Sequence, residues 1–245
     1  MKLSVIIPAY NEEKRLPKTL QSIYEYLRQQ GYEYEIIVVS DGSKDKTAQV
    51  VEELKLQITN LKLIDRKKNR GKGYTVKEGM LNAQGDYRLF MDADNSTTID
   101  QVEKMWPWFE KGYDIVIGSR DVKGAILDPP QPFYRRLVGE FFKYVRMIIC
   151  DLWHLKDTQC GFKCFKKEVV ETIFPKLRIE RFAFDVEILL LAKMHGFKIK
   201  EIPVLWRNDP ESKVKLKSAI KMGLDLFKIR WYQLKGCYGK KEKRN

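Results

Sequence analysis

Five short apolar runs punctuate the first half of the chain, separated by stretches of helical length: Leu3–Pro8, Tyr34–Val39, Leu61–Ile64, Leu89–Met91 within Asp86–Asp94, and Asp114–Gly118. Runs of four to six residues rich in Val and Ile read as buried strands. Strands of this kind sit in parallel sheets, and parallel neighbours need crossover helices between them. The intervals supply these helices. One runs from an Asn11 cap to about Gln30, and one over Lys46–Leu56 is capped by Ser43. A third is opened by Asn69-Arg-Gly-Lys-Gly73 and continues through Ala83. The alternation predicts an α/β fold with a doubly wound, mostly parallel sheet.

Ligands of such sheets sit at the carboxyl ends of the strands. The polar corners Pro8–Glu12, Asp41–Ser43 and Asp92–Asp94 all fall on that edge. Asp92-Ala-Asp94 suits a hard divalent cation, Mg²⁺ or Mn²⁺, held by one or two carboxylates with phosphate oxygens and water. Side chains two apart in an extended chain lie on one face but about 6.6 Å apart along the strand, so joint ligation of one ion needs the backbone to turn at the strand end. The competing reading is an acidic turn capping a helix that starts near Ile99. Convergence of three polar corners on one edge favours the cation site.

Charge narrows the partners. Among 245 residues, 46 Lys and Arg oppose 33 Asp and Glu, a formal charge of +13. That surplus points to nucleic acid, nucleotide phosphates or an acidic membrane. Cys150, Cys160, Cys164 and Cys237 lack paired zinc spacing and read as reduced thiols. The first strand begins at once after Met1-Lys2, without a signal peptide, and no apolar run approaches the ~20 residues of a transmembrane helix.

The second half has a different texture. Pro129, Pro130 and Pro132 interrupt the chain, and Phe133–Leu155 follows as a long amphipathic segment, either a core helix or one lying among lipid headgroups. Asp157–Gly161 is a polar loop, Phe162–Phe165 a short strand and Phe184–Met194 a helix. Lys198–Pro203 is an edge strand continued by Val204–Arg207. From Lys213 to Asn245, eleven basic residues face only Asp225 and Glu242, a net of +9. Ile220, Leu224, Phe227 and Trp231 recur there at helical spacing, so the tail contains an amphipathic helix that is either solvated or bound to anionic lipid. The organisation expected is one domain in two halves (1–120 and 121–212) followed by a basic tail (213–245).

Val5-Ile-Ile-Pro-Ala-Tyr-Asn-Glu-Glu13, Asp41-Gly-Ser43, Asn69-Arg-Gly-Lys-Gly73 and Asp92-Ala-Asp94 together resemble the inverting, family 2 glycosyltransferases of GT-A fold. Gly118-Ser-Arg120, Asp157-Thr-Gln-Cys-Gly-Phe-Lys163, Glu180-Arg-Phe-Ala-Phe-Asp-Val-Glu187 and Ser212-Lys213 are similar to the dolichyl-phosphate β-glucosyltransferases within that group. The resemblance implies glucose transfer from UDP-glucose to a polyprenyl phosphate, giving a β-linked product. It places Pro8, Tyr10, Glu12 and Asp41 around the nucleoside and Lys72 on the donor phosphates. Asp157 and Gln159 would meet sugar hydroxyls, and Asp92 and Asp94 would hold Mg²⁺ or Mn²⁺, Asp94 most directly. Arg120 would stabilise the leaving group, with Arg135, Arg136 and Lys213 gripping the acceptor phosphate. Asp185 and Glu187 are either site residues or helix N-terminal charges.

Two departures stand out: Ser40 occupies a position often acidic in relatives, and the membrane-spanning anchor of eukaryotic members is absent, so peripheral attachment at the cytoplasmic face of a membrane is expected. The rival substrate is GDP-mannose. A non-catalytic membrane-binding module is the rival class, and a nucleotidyltransferase is disfavoured by Pro8-Ala-Tyr-Asn where a glycine-rich loop would stand. No nucleic-acid-binding motif is visible.

Overall fold

The structure, a computed structural model, describes residues 1–128, 143–207 and 216–239. Its first half follows the predicted alternation: β1 (Lys2–Ala9), α1 (Leu16–Leu27), β2 (Glu33–Asp41), α2 (Thr47–Leu54), β3 (Leu61–Arg66), α3 (Lys72–Asn82) and β4 (Tyr87–Met91). A 3₁₀ turn at Ile99–Lys104 and α4 (Trp106–Glu110) lead to β5 (Ile115–Ser119) and the short β6 (Ile126–Asp128). Residues 143–150 are helical (α5). They are followed by β7 (Phe162–Lys166), α6 (Lys167–Ile173), α7 (Phe184–Met194), β8 (Ile199–Pro203), β9 (Leu205–Arg207) and α8 (Leu216–Leu234).

Seven strands form one sheet in the order β3-β2-β1-β4-β7-β5-β8. All pairings are parallel except those of β7, which runs antiparallel to both β4 and β5. This reversal matters for function. It brings the loop that enters β7 to the edge where β1, β2, β4 and β5 end, with Met91 paired to Phe162 and Phe90 to Lys163.

Side-chain alternation along the strands builds a core on each face. Leu3, Val5 and Ile7 pack with Leu16, Leu20, Ile23 and Leu27 of α1 and with Val51. Ile6, Phe90 and Phe165 join Val76 and Met80 of α3, nearly the whole of α7, and Leu226 and Ile229 of α8. Each fully buried Leu or Ile in these layers contributes roughly 1.5–3 kcal/mol, and α7, buried at ten of its eleven residues, is the central helix of the second layer.

Several local expectations are revised. Asn11 does not cap α1; its backbone is left-handed, its N–H donates to Ser43 Oγ at 3.1 Å, and its Oδ1 accepts from the Lys44 N–H at 2.8 Å. Both Asn11 and Ser43 are therefore spent on holding two corner loops together, and α2 begins after Lys46 with the Thr47 N–H on Asp45 Oδ1. The helix expected near Ile99 is a 3₁₀ turn. Lys198–Pro203 is indeed the sheet edge, but Leu205–Arg207 leaves that sheet to pair with β6. The tail helix is the largest surprise. Leu224, Phe227 and Trp231 are 60, 62 and 54% exposed, while Met222, Leu226 and Ile229, on another face, are buried. Beyond α8, Tyr238 is buried and donates its hydroxyl to Glu187 Oε1 at 2.6 Å. Tyr238 is thus built into the core.

Candidate active site

The carboxyl edge of the sheet gathers most of the predicted residues. Asp41 is the last residue of β2, and its buried carboxylate accepts from the Arg70 N–H (2.8 Å), the Gly71 N–H (2.7 Å) and Arg66 Nη2 (2.5 Å). Asn69 adds a bond from Nδ2 to the Asp41 carbonyl at 3.0 Å. Asp41 is therefore the anchor of the 69–73 loop. The glycines there have a packing reason: a Cβ on Gly71 would lie 2.6 Å from the Glu180 carbonyl oxygen, and one on Gly73 2.5 Å from that of Ile179. Gly71 also has φ +108°, a conformation that side-chain-bearing residues avoid.

The next residue, Lys72, reaches the other acidic corner, with Nζ 2.6 Å from Asp92 Oδ1. Neighbours in sequence, Gly71 and Lys72, thus touch Asp41 and Asp92 respectively, which puts both carboxylates on one cleft. Burial disfavours the Lys72 ammonium, but Asp92, Asp185 and Asp94 more than offset this and raise its pKa above the ordinary lysine value. Burial and the adjacent Asp92 charge push the Asp94 carboxyl upward, against the Ser96 N–H that it accepts at 2.9 Å.

The backbone turn that joint ligation requires is present. Asn95 is left-handed (φ 56°), a conformation that asparagine tolerates well. Thr19 Oγ1 secures the Ala93 carbonyl at 2.8 Å. Behind the turn lies Gly161, whose carbonyl accepts the Asp92 N–H at 3.1 Å. A Cβ at Gly161 would fall 2.1 Å from Asp92 Oδ2, so only glycine leaves room for that carboxylate.

Arg120 follows β5 on the same edge. Its Nε and Nη2 donate to the two oxygens of Asp157 at 2.7 and 3.0 Å, and its guanidinium lies 5.5 Å from the Trp206 ring centroid. Asp157 is buried and also accepts from the N–H groups of Arg120, Gln159 and Cys160. Burial opposes its charge, yet Arg120 and these N–H groups hold the carboxyl well below the usual range. Both oxygens of Asp157, the residue expected to meet a sugar, thus already accept bonds within the site, from Arg120 above all. Gln159 stays near, with Nε2 4.0 Å from Met222 Sδ of α8.

Pro8, one residue before the end of β1, lies opposite Val39 of β2, and Tyr10 is exposed just beyond the strand. Glu12 pairs with Arg15 through both oxygens (2.8 and 2.9 Å), and its carbonyl accepts the Leu16 N–H at 2.9 Å, the first bond of α1. Arg135, Arg136 and Lys213 lie outside the described residues. Sequence reasoning missed Gly161, Trp206 and the ion pair formed by Lys163, 0% exposed, with Asp185 at 2.6 Å. Asp185 is a buried site neighbour, whereas Glu187 holds the N–H groups of Arg178 and Ile179 at 3.0 and 2.9 Å. Only the length of the Asp157–Lys163 motif hinted at Gly161.

The chain matches the model for "Glycosyl transferase family 2" over residues 4–174. It belongs to that family. Among curated members, the dolichyl-phosphate beta-glucosyltransferase of Dictyostelium discoideum is 40% identical, over 96% of this chain and 76% of that protein. The Homo sapiens enzyme of the same name is 37% identical over 96% and 77%. Among solved structures, mannosyl-3-phosphoglycerate synthase from Rubrobacter xylanophilus superposes with TM-score 0.72 at 16% identity, over 97% of this chain and 76% of that one. Glucosyl-3-phosphoglycerate synthase from Mycobacterium tuberculosis, in a complex with Mn²⁺ and UDP, gives 0.67 at 17%, over 99% and 81%. The architecture of this family 2 glycosyltransferase is therefore the GT-A fold of such enzymes.

The donor set of the cleft fits a hard divalent ion. Two carboxylates stand at a turn, and the one contacted by Lys72 already accommodates a cationic group. Among the described residues no cluster of three or more His, Cys, Asp or Glu is placed to hold an ion. Asp92 and Asp94 would thus leave the remaining positions to phosphate and water, as Mg²⁺ and Mn²⁺ sites on nucleotides commonly do.

Proposed function

We propose that this family 2 glycosyltransferase moves glucose from UDP-glucose to a polyprenyl phosphate with inversion, giving a β-linked lipid-phosphate sugar. The observation carrying the proposal is the meeting of Asp41, Lys72, Asp92, Asp94 and Arg120 on one sheet edge, in a chain whose curated relatives are named dolichyl-phosphate beta-glucosyltransferases.

The acceptor fixes what the chemistry needs. A phosphate monoester has its second pKa at about 6, so near neutral pH the nucleophile is already largely dianionic and needs no strong base. The barrier comes from bringing two anions together and releasing a diphosphate. Mg²⁺ or Mn²⁺ held by Asp92 and Asp94 supplies Lewis-acid neutralisation of that leaving group. Lys72 donates to the diphosphate, and Arg120 presents the part of its guanidinium not engaged by Asp157. A fixed guanidinium needs little reorganisation as charge develops, which is the role of the Asp157 and Trp206 contacts. Tyr10 stacks on the uracil and Glu12 accepts from ribose hydroxyls. Asp41 Oδ2, which takes one N–H from Gly71, retains lone-pair capacity for the uracil N–H. Gln159 meets the sugar, and Arg135, Arg136 and Lys213 grip the acceptor phosphate.

Attachment is peripheral, at the cytoplasmic face of an anionic membrane. Among the described residues no helix is long and apolar enough to cross a bilayer. The exposed Leu224, Phe227 and Trp231 share α8 with Lys221, Lys228 and Arg230, the residue pattern of an interfacial helix. The test is a panel of UDP-glucose, UDP-galactose, UDP-N-acetylglucosamine and GDP-mannose with a short polyprenyl phosphate, read by mass spectrometry. UDP-glucose should turn over fastest, to a β-linked product. Turnover with GDP-mannose alone would overturn the assignment.

A further inference from the structure

Lys72 reaches from the 69–73 loop to the acidic corner after β4. Its Nζ contacts Asp92 Oδ1 at 2.6 Å, and Asp94 and Asp185 bear on the same ammonium. Asp185 is itself held by the buried Lys163 at 2.6 Å. Three carboxylates therefore share two ammonium groups. A divalent ion arriving alone meets a cluster whose acidic surplus is one charge, and the nearest oxygen is already in use. An ammonium and a divalent metal cannot both hold that oxygen closely without strong like-charge repulsion.

The backbone at this point has no latitude. Gly71 is tied by its N–H to Asp41 and packed on the Glu180 carbonyl, and Gly73 is packed on that of Ile179. Lys72 can vacate Asp92 only by turning its side chain, which is one-quarter exposed. It then needs another anion. A nucleoside diphosphate supplies one at the moment the metal arrives.

We propose that Lys72 is the resident counter-cation of Asp92 in the free protein, and that its transfer to the donor diphosphate couples metal binding to nucleotide binding. The proposal rests on the metal-and-diphosphate reading of the cleft. Linkage makes the coupling reciprocal: Lys72 weakens metal binding without nucleotide by the same displacement that nucleotide relieves.

Mn²⁺ titrations followed by electron paramagnetic resonance of the free ion, with and without UDP, test this on the full chain. Lys72→Met should tighten Mn²⁺ binding without UDP by roughly tenfold, and should reduce the enhancement produced by UDP by a similar factor, within the usual range of couplings between sites. Lys72→Gln should behave as Lys72→Met does, and Lys72→Arg should stay near the parent. Unchanged or weaker Mn²⁺ binding in Lys72→Met and Lys72→Gln, with Asp94→Ala still abolishing the bound ion, overturns the counter-cation role alone. Binding that is absent throughout, or indifferent to Asp94→Ala, overturns the metal site and this proposal with it.

Discussion

Replacing Gly161 by alanine drives a methyl group into the carboxylate of Asp92. The added Cβ would lie 2.1 Å from Oδ2, 2.3 Å from Cγ and 2.5 Å from Oδ1, where ordinary contact begins at 3.4 Å. Relief therefore requires Asp92 to withdraw by more than 1 Å. Gly161 has no positive φ among the glycines that do, so alanine brings no backbone strain, and its restriction of the unfolded chain is worth about 0.4–1 kcal/mol in favour of folding. The damage should fall on the site. Misplacing a catalytic group by ~1 Å commonly costs ~10²-fold in rate, about 2.7 kcal/mol of transition-state stabilisation. We expect kcat/KM for UDP-glucose to fall by about that factor while the melting temperature stays within a few degrees of the parent. Asp92→Ala removes the atoms that clash, so Gly161→Ala added to it should cost little more, which is the non-additivity of two groups acting through one contact. Full activity in Gly161→Ala, or losses that add in the double variant, would refute the idea that Gly161 exists to seat Asp92.

Other consequences follow from the same geometry. Changing Leu224, Phe227 and Trp231 together to serine should weaken sedimentation with anionic vesicles and leave the unfolding midpoint nearly unchanged, whereas Leu226→Ala, on the buried face, should cost about 2–5 kcal/mol by denaturant titration. Tyr238→Phe removes the hydroxyl donated to buried Glu187 and should destabilise the fold by roughly 1–3 kcal/mol; unchanged stability would mean that this hydrogen bond does not anchor Tyr238. The Asp157 carboxyl titrates lower when folded than when unfolded because Arg120 and three N–H groups favour its anion over the cost of burial. Its stabilising contribution is complete above the unfolded carboxylate pKa of about 3.9 and is lost as pH falls below that. Acid unfolding of Asp157→Asn should accordingly show a shallower dependence on pH than the parent below about 4; identical curves would contradict the assignment.

How much of this was readable in advance depends on the range over which each residue acts. β1, β2 and β4 each contain a short apolar run (Val5–Ile7, Ile36–Val39 and Leu89–Met91), and burial on both faces leaves a local signature, so the sheet edge and its acidic corners were legible from composition and spacing. Two kinds of feature were not. The first is the orientation of α8: Leu224, Phe227 and Trp231 repeat at helical spacing, and so do Met222, Leu226 and Ile229. A helix with two apolar faces does not tell from periodicity which one meets the core; Leu226 and Ile229 are the ones that join the core layer shared by α7 and Cys150, Leu152 and Leu155. The second is the inner wall of the cleft. Gly161, Lys163 and Asp157 serve the site because β7 inserts antiparallel between β4 and β5, which sets Gly161 behind Asp92 and Lys163 opposite Phe90. A parallel strand in that place would deliver its preceding loop to the far edge of the sheet, 15 Å or so away for five residues at about 3.3 Å each. The reversal of one strand is therefore what turns an acidic corner into a walled site, with Arg120 oriented from one end of the 157–161 loop and Asp92 seated at the other.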